Sequence, residues 1–144
     1  MRVILDTNIW LDWLVFDDPA VVPLKSARSD GAVRIAMNAA CLEELGRVLA
    51  YPDFELDAAT RNDLLTQVRN CTYRVDTGLP SPLPRCTDPD DQKFLELARD
   101  AKAEWLITKD KALLILAKER FSDAGFRIGT PEHWTADCES VIPQ

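Results

Sequence analysis

The stretch that decides the fold is MRVILDTN, residues 1–8. Residues 3–5 are apolar and include two β-branched side chains, which is typical of a strand buried on both faces of a sheet. The strand ends at Asp6, and an amphipathic helical pattern follows over residues 9–14. A carboxylate at this junction lies at the carboxyl end of a strand, where open α/β sheets bind their ligands. Asp is also a favoured helix N-cap, so this stretch alone leaves both roles open for Asp6.

Strand and helix patterns alternate along the rest of the chain. Further strands are predicted at residues 33–37, 71–75, 105–108 and 126–128, and helices at residues 19–29, 40–50, 57–68, 89–101 and 111–119. Residues 77–87 contain one Gly and three Pro, which favours a loop, and residues 129–131 begin a terminal turn or short helix. This alternation indicates βαβ units with a parallel sheet. The predicted fold is one three-layer α/β domain over residues 1–144.

Composition narrows the class of protein. A chain of 144 residues buries roughly 68–70% of its unfolded surface, so it needs no disulfide or metal to fold. No apolar run is long enough to cross a bilayer, and no signal segment precedes the first strand, so we expect a cytoplasmic protein without a membrane partner. The net charge of −7 argues against nonspecific nucleic-acid binding, unless clustered acids bind cations that supply a positive field.

Cysteine and histidine chemistry is not indicated. The four cysteines, Cys41, Cys71, Cys86 and Cys138, show no C-x-x-C spacing, and we expect them to be reduced and structural. His133 is the single histidine. A zinc site and a Ser-His-Asp hydrolase are therefore disfavoured.

The helix predicted at residues 40–50 carries two adjacent glutamates. At about 100° per residue its leucines form one apolar face, and Glu44 lies on the flank of that face. Glu43 lies nearly opposite, with Arg47 four residues on as a surface partner. Glu44 is therefore the candidate for a cleft, and an ordinary boundary glutamate is the alternative.

The run CTDPDDQKFL, residues 86–95, places acids at a helix start. Asp88 followed by Pro is a helix cap with Pro at the first helical position. The helix dipole accounts for negative charge in the first turn. Asp91 also extends the buried stripe of Phe94 and Leu95 by one turn, so it is a second candidate for a cleft.

The segment WLITKDK, residues 105–111, repeats the opening pattern of apolar strand, polar step, carboxylate and helix. Asp110 thus lies at the carboxyl end of a strand, as Asp6 does, and again has helix capping as the alternative. Together with Glu44 and Asp91, these acids can converge on one cleft. Like charges this close raise one another's pKa values, and a divalent cation resolves the repulsion. Ligands that are all oxygen suit Mg²⁺ or Mn²⁺, which serve phosphodiester hydrolysis by activating water and stabilising the leaving oxygen.

At these residues the chain resembles the PIN-domain nucleases. The matching segments are Asp6-Thr7-Asn8, Glu44-Leu45 with Val48-Leu49, Asp88-Pro89-Asp90-Asp91 with Phe94-Leu95 and Ala98, Thr108-Lys109-Asp110, and Thr130-Pro131-Glu132. The resemblance spans nearly the whole chain and is closest to the toxin components of bacterial toxin–antitoxin pairs. It implies a parallel five-stranded sheet in the order 3-2-1-4-5 and metal-dependent cleavage of single-stranded RNA.

The resemblance also implies roles for single residues. The acidic quartet that it makes catalytic and metal-binding is Asp6, Glu44, Asp91 and Asp110. Asn8 and Thr108 resemble groups that orient the metal-binding carboxylates, and the same supporting role is expected for Asp88.

Three lysines are candidate phosphate contacts, with a solvated helix surface as the favoured alternative for each: Lys93, Lys109 and Lys111. Lys109 departs from the family pattern, in which a small residue is frequent between the threonine and the aspartate. We expect it either to contact a phosphate or to block the cleft.

The leading hypothesis is an Mg²⁺- or Mn²⁺-dependent endoribonuclease that acts as the toxin of a toxin–antitoxin pair. Its candidate partners are an RNA substrate, a small antitoxin protein and a second copy of the chain. The rival from another class is a protein-interaction module whose acidic cleft has no useful activity. A phosphatase of the haloacid-dehalogenase type is disfavoured, because it needs a second aspartate two residues after the nucleophile and Asn8 stands there.

Overall fold

The sheet has five parallel strands in the order β3-β2-β1-β4-β5. The computed structural model describes residues 1–76, 78, 91–118 and 125–141. Its strands are β1 (Arg2–Leu5), β2 (Arg34–Met37), β3 (Thr72–Arg74), β4 (Trp105–Ile107) and β5 (Arg127–Gly129). The predicted fold class and the strand order implied by the PIN resemblance are both confirmed.

Helices cover both faces of the sheet and give three layers. Within the described residues they are α1 (Thr7–Leu14), α2 (Val22–Ser29), α3 (Ala39–Leu49), α4 (Ala58–Cys71), α5 (Gln92–Asp100), α6 (Lys111–Lys118) and α7 (Pro131–Val141). Helix α3 packs beside α1, α4 and α5, whereas α7 packs beside α2 and against β4 and β5. None of the helices in this part of the chain is long and apolar enough to cross a membrane.

The central strand β1 is the point at which the strand order reverses. It pairs with β2 on one side and β4 on the other, with Val3 opposite both Ile35 and Trp105. Strands β2 and β3 extend the sheet one way, and β4 and β5 extend it the other way. The carboxyl ends of β1 and β4 therefore leave the sheet side by side, at the kind of crevice where open α/β sheets bind ligands.

The strands are buried as their apolar composition predicts. Val3, Ile4 and Leu5 of β1 are at most 2% exposed, and Leu106 and Ile107 of β4 are fully buried. Burial of this kind stabilises a parallel sheet that has helices on both faces. It also fixes where each strand ends, and so fixes the position of the polar residues that follow.

The helix predicted over residues 19–29 is wrong in its first turn. The structure has a 3₁₀ helix at Pro19–Val21 before α2. Pro23 explains the difference, because a continuous α-helix would need its N–H to donate to the carbonyl of Pro19, and proline has no N–H. Another 3₁₀ helix, Pro52–Phe54, was not predicted at all.

The chain's last helix is longer than the predicted terminal turn or short helix. Helix α7 runs for 11 residues from Pro131. Trp134 anchors the helix to the core, since only 3% of this residue is exposed. Asp88 and most of the predicted loop at residues 77–87 lie outside the described residues.

Candidate functional site

Three carboxylates meet at the carboxyl edge of the central strands. Asp6 follows β1 directly, Asp110 lies three residues after the end of β4, and Asp91 immediately precedes α5. One carboxylate oxygen from each of the three lies within 4.8 Å of the other two. Asp6 and Asp91 are buried, and Asp110 is half-buried. The predicted convergence of these three acids is therefore observed.

Hydrogen bonds fix both oxygens of Asp6. Its Oδ1 accepts the backbone N–H of Thr7 at 2.7 Å. Its Oδ2 accepts the hydroxyl of Thr108 at 2.6 Å and the side-chain amide of Asn8 at 3.2 Å. The amide oxygen of Asn8 in turn accepts the backbone N–H of Lys109 at 3.3 Å. Asp6 thus serves both as the N-cap of α1 and as a member of the acidic cluster, so neither of its two predicted roles excludes the other.

Burial raises the pKa of Asp6 from 3.8 to about 6. The hydrogen bonds from Thr108 and Thr7 lower this pKa, whereas the nearby charges of Asp110 and Glu44 raise it. The ionised carboxylate is therefore costly in this position, and a cation between the three acids would relieve that cost.

The donor atoms fit a hard divalent cation. The three acids offer only oxygen, which suits Mg²⁺ or Mn²⁺ better than zinc or copper. Among the described cysteines, Cys41 interacts electrostatically with Asp6 and Glu44, but burial raises the pKa of its thiol to about 12. A thiol with this pKa stays protonated at neutral pH and is a poor ligand.

Asp110 and Asp91 differ in how they take part in their helices. The Oδ1 of Asp110 accepts the backbone N–H of Ala112 at 2.8 Å, so Asp110 caps α6 and belongs to the cluster as well. Asp91 occupies the N-cap position of α5, yet its side chain makes no capping hydrogen bond. It continues the stripe of Phe94 and Leu95, which are at most 1% exposed. Helix capping alone therefore does not explain Asp91.

The Glu44 carboxylate lies beside the cluster but outside its group of three. The hydroxyl of Thr7 donates to its Oε2. The ammonium of Lys93 forms an ion pair with its Oε1 at 2.7 Å. Glu43, by contrast, is exposed and pairs with Arg47 at 3.6 Å. The predicted orientation of α3, with Glu43 at the surface and Glu44 toward the cleft, is confirmed.

Asp12 is a buried acid that the sequence analysis missed. It lies on α1, is 5% exposed, and its Oδ2 is 2.5 Å from the ammonium of Lys109. Lys109 is thus held on α1 by this ion pair, and the two roles predicted for it, contact with a phosphate or blocking of the cleft, stay predictions. The sequence feature that could have identified Asp12 is its position four residues after Asn8, on the same helix face, and between two tryptophans. Lys111 is exposed at the start of α6.

Thr108 connects the two acids that follow strands. It is fully buried, its hydroxyl donates to Asp6 Oδ2, and the same oxygen accepts the backbone N–H of Asp110 at 2.9 Å. We expect Thr108→Val to lower the free energy of unfolding by about 1–3 kcal/mol, because a buried N–H and a buried carboxylate each lose a partner. Urea unfolding of the metal-free protein measures this loss. Thr108→Ser keeps the hydroxyl and should recover most of it, and an equal loss in both variants would contradict the bridging role.

The fold and the site together define the class of protein to which the chain belongs. They describe an α/β protein with a buried acidic cluster at the switch point of a parallel sheet, which suits a divalent cation. The chain belongs to the PIN domain family, whose pattern matches residues 2–112. A search of curated proteins found no match. PIN domains are generally metal-dependent nucleases, and the matched residues include all four acids of the predicted quartet.

Proposed function

We propose that this PIN-domain chain is an Mg²⁺- or Mn²⁺-dependent endoribonuclease that cleaves single-stranded RNA as the toxin of a toxin–antitoxin pair. The observation that carries the proposal is the meeting of the Asp6, Asp91 and Asp110 carboxylates within 4.8 Å at the sheet's carboxyl edge. The toxin role is supported by the resemblance of the chain's acidic motifs, taken in order along its length, to that branch of the family.

The residues of the site divide the work between binding and orientation. Asp6, Asp91 and Asp110 would hold the metal ion, which supplies Lewis acidity and lowers the pKa of bound water. Thr108 and Asn8 hold the Asp6 carboxylate in one orientation through the hydrogen bonds described above. Groups of this kind tune both the affinity and the geometry of metal ligands.

Neither Cys41 nor His133 offers a competing nucleophile or base at the cluster. The thiol of Cys41 is held protonated by burial, which raises its pKa to about 12. His133 lies at the start of α7, where its Nδ1 accepts the backbone N–H of Thr130 at 3.2 Å. A carboxylate-bound cation is therefore the chemistry that the site supports best.

The proposal predicts metal-dependent cleavage. The purified protein should cleave single-stranded RNA in the presence of Mn²⁺ or Mg²⁺ and should stop when EDTA is added, because three clustered carboxylates bind the cation weakly enough for a chelator to remove it. Gel analysis of an end-labelled RNA measures the products. Cleavage that continues undiminished in excess chelator would contradict the proposal. A folded protein that binds Mn²⁺ but cleaves no RNA would favour the rival protein-interaction module.

Adjacent glutamates on α3 provide a matched pair of variants. We expect Glu44→Gln to abolish cleavage, because its carboxylate lies beside the cluster and fixes Thr7 and Lys93. Glu43→Gln should cleave normally, since the lost ion pair with Arg47 is exposed and contributes little. Initial cleavage rates at saturating Mn²⁺ test both. Equal loss in the two variants, or loss only in Glu43→Gln, would contradict the argument that Glu44 alone faces the cleft.

A further inference from the structure

We propose that the Lys93 ammonium, held on Glu44, occupies the position of a second cation, so that this site binds a single divalent metal ion. In this arrangement Glu44 is a positioning residue for Lys93 and not a metal ligand. The inference rests on the proposed function, because it concerns how the same acidic site neutralises its charge.

The ion pair joins two helices and is mostly buried. Lys93 lies in the first turn of α5 and Glu44 lies in the middle of α3, and their side chains are only 20% and 17% exposed. The separation of 2.7 Å is that of a charge-assisted hydrogen bond. The backbone of Lys93 is held as well, since its carbonyl accepts the thiol of Cys41 at 3.9 Å. The ammonium is thus fixed on Glu44, the acid beside the cluster, by contacts at both ends of the residue.

Both oxygens of Glu44 are engaged by the chain itself. Thr7 donates to Oε2, and Lys93 binds Oε1. Thr7 directly follows Asp6, so this carboxylate lies next to the cluster even though it is not one of the three acids within 4.8 Å of one another. Its position and its partners are those of an acid that orients a lysine at the edge of the metal site.

Charge explains why a second metal ion and this lysine exclude each other. Two-metal nuclease sites hold their cations roughly 3.5–4 Å apart, which requires a further carboxylate beside the first metal. Among the described residues Glu44 places a carboxylate beside the cluster, but a divalent cation on it would touch the Lys93 ammonium and be repelled strongly in this poorly solvated place. The ammonium instead supplies one fixed positive charge, which can contact a phosphate oxygen of bound RNA.

The test counts Mn²⁺ ions by calorimetric titration, with circular dichroism to verify folding. We expect one Mn²⁺ per chain in the wild type and in Lys93→Arg, which keeps the charge. Lys93→Met should bind two, because Glu44 is then free to serve as a ligand. The double variant Lys93→Met/Glu44→Gln should again bind one Mn²⁺ ion. Its affinity for Mn²⁺ should stay within about threefold of the wild type, since removing the ion pair does not change the net charge. Loss of a true metal ligand would instead cost more than the 10–100-fold that follows the loss of a supporting residue.

The double variant also separates positioning from metal binding. Its RNA cleavage at saturating Mn²⁺ should fall at least about tenfold while its Mn²⁺ affinity is kept, because a phosphate contact is lost and the metal ligands are not. It carries the test by itself if Lys93→Met does not fold, since it leaves no unpaired buried carboxylate. Each of three results would overturn the inference alone. They are a double variant that cleaves as fast as the wild type, a wild type that binds two Mn²⁺ ions, and a folded Lys93→Met variant that binds only one. A folded wild type that binds no Mn²⁺ would instead overturn the proposed function itself.

Discussion

Asp110→Asn is expected to reduce RNA cleavage by more than about a hundredfold, because even residues that only support metal ligands cost 10–100-fold in affinity or activity when they are removed. A neutral amide is a much poorer ligand for Mg²⁺ or Mn²⁺ than a carboxylate. The metal-free variant should nevertheless melt at the same temperature as wild type or higher, because one charge has left a crowded cluster. Loss of function without loss of stability is the signature of a ligand.

Helix capping alone predicts a different outcome for the same variant. Asn caps a helix about as well as Asp. If Asp110 were only a cap, the substitution would change the free energy of unfolding by at most about a few tenths of a kcal/mol and would leave the cleavage rate unchanged. Asp57 is the matched control, since it caps α4 by accepting the N–H of Thr60 at 2.7 Å on the protein surface. Asp57→Asn should leave cleavage unchanged.

Melting curves with and without Mn²⁺ complete the comparison. Mn²⁺ at a hundred times its dissociation constant should stabilise the wild type by about 2.7 kcal/mol, because it binds only the folded state. The stabilisation should shrink in Asp110→Asn and persist in Asp57→Asn. If Asp110→Asn cleaves normally and keeps the full metal-induced shift, then Asp110 is only a helix cap.

The fold could be predicted because its signals are local. Apolar runs such as residues 3–5 specify buried strands, and the carboxylates that follow β1 and β4 had to share an edge once the strands were parallel. The same reasoning gave the correct orientation of α3, because one helical face is set by its own leucines. Errors arose where a single backbone group decided the outcome, as with Pro23 and the start of α2.

The charge partners of the site could not be predicted. Glu44 and Lys93 lie on helices between which α4 and β3 intervene in the chain, and Asp12 and Lys109 lie at nearly opposite ends of the matched region. Nothing in the local pattern of either segment specifies which lysine meets which acid, since side-chain reach and rotamer settle that in three dimensions. The sequence thus identified acids and lysines suited to the site, but not that two lysines are held by acids of the chain.

The pH dependence of stability is the second large effect that we expect. The pKa of Asp6 is about 6 in the folded protein and 3.8 without the fold, because burial disfavours the charged form. The folded state therefore binds this proton more tightly than the unfolded state does. Below pH 3.8 both states are protonated, between pH 3.8 and 6 stability falls as pH rises, and above pH 6 the full cost is present. That cost is about 3 kcal/mol for a difference of this size.

Other carboxylates titrate in the same range, so the measurement is the difference between wild type and Asp6→Asn. Asp57, for example, has a pKa lowered by its hydrogen bonds to Thr60, and it gives the opposite slope in both proteins. Urea unfolding without metal at pH 4, 5, 6 and 7 should show the wild type losing stability relative to the variant as pH rises. Parallel curves would mean that burial does not raise the pKa of Asp6.

Saturating Mn²⁺ should reverse the sign of this dependence. The metal ion requires the ionised carboxylate, so it competes with the proton on Asp6 and binds more tightly as pH rises toward 6. Stabilisation by Mn²⁺ should then be smallest near pH 4 and largest at pH 7, opposite to the trend of the metal-free protein. A metal that bound elsewhere would leave the slope assigned to Asp6 unchanged. The reversal therefore tests in one experiment whether the buried carboxylate with the raised pKa and the metal ligand are the same residue.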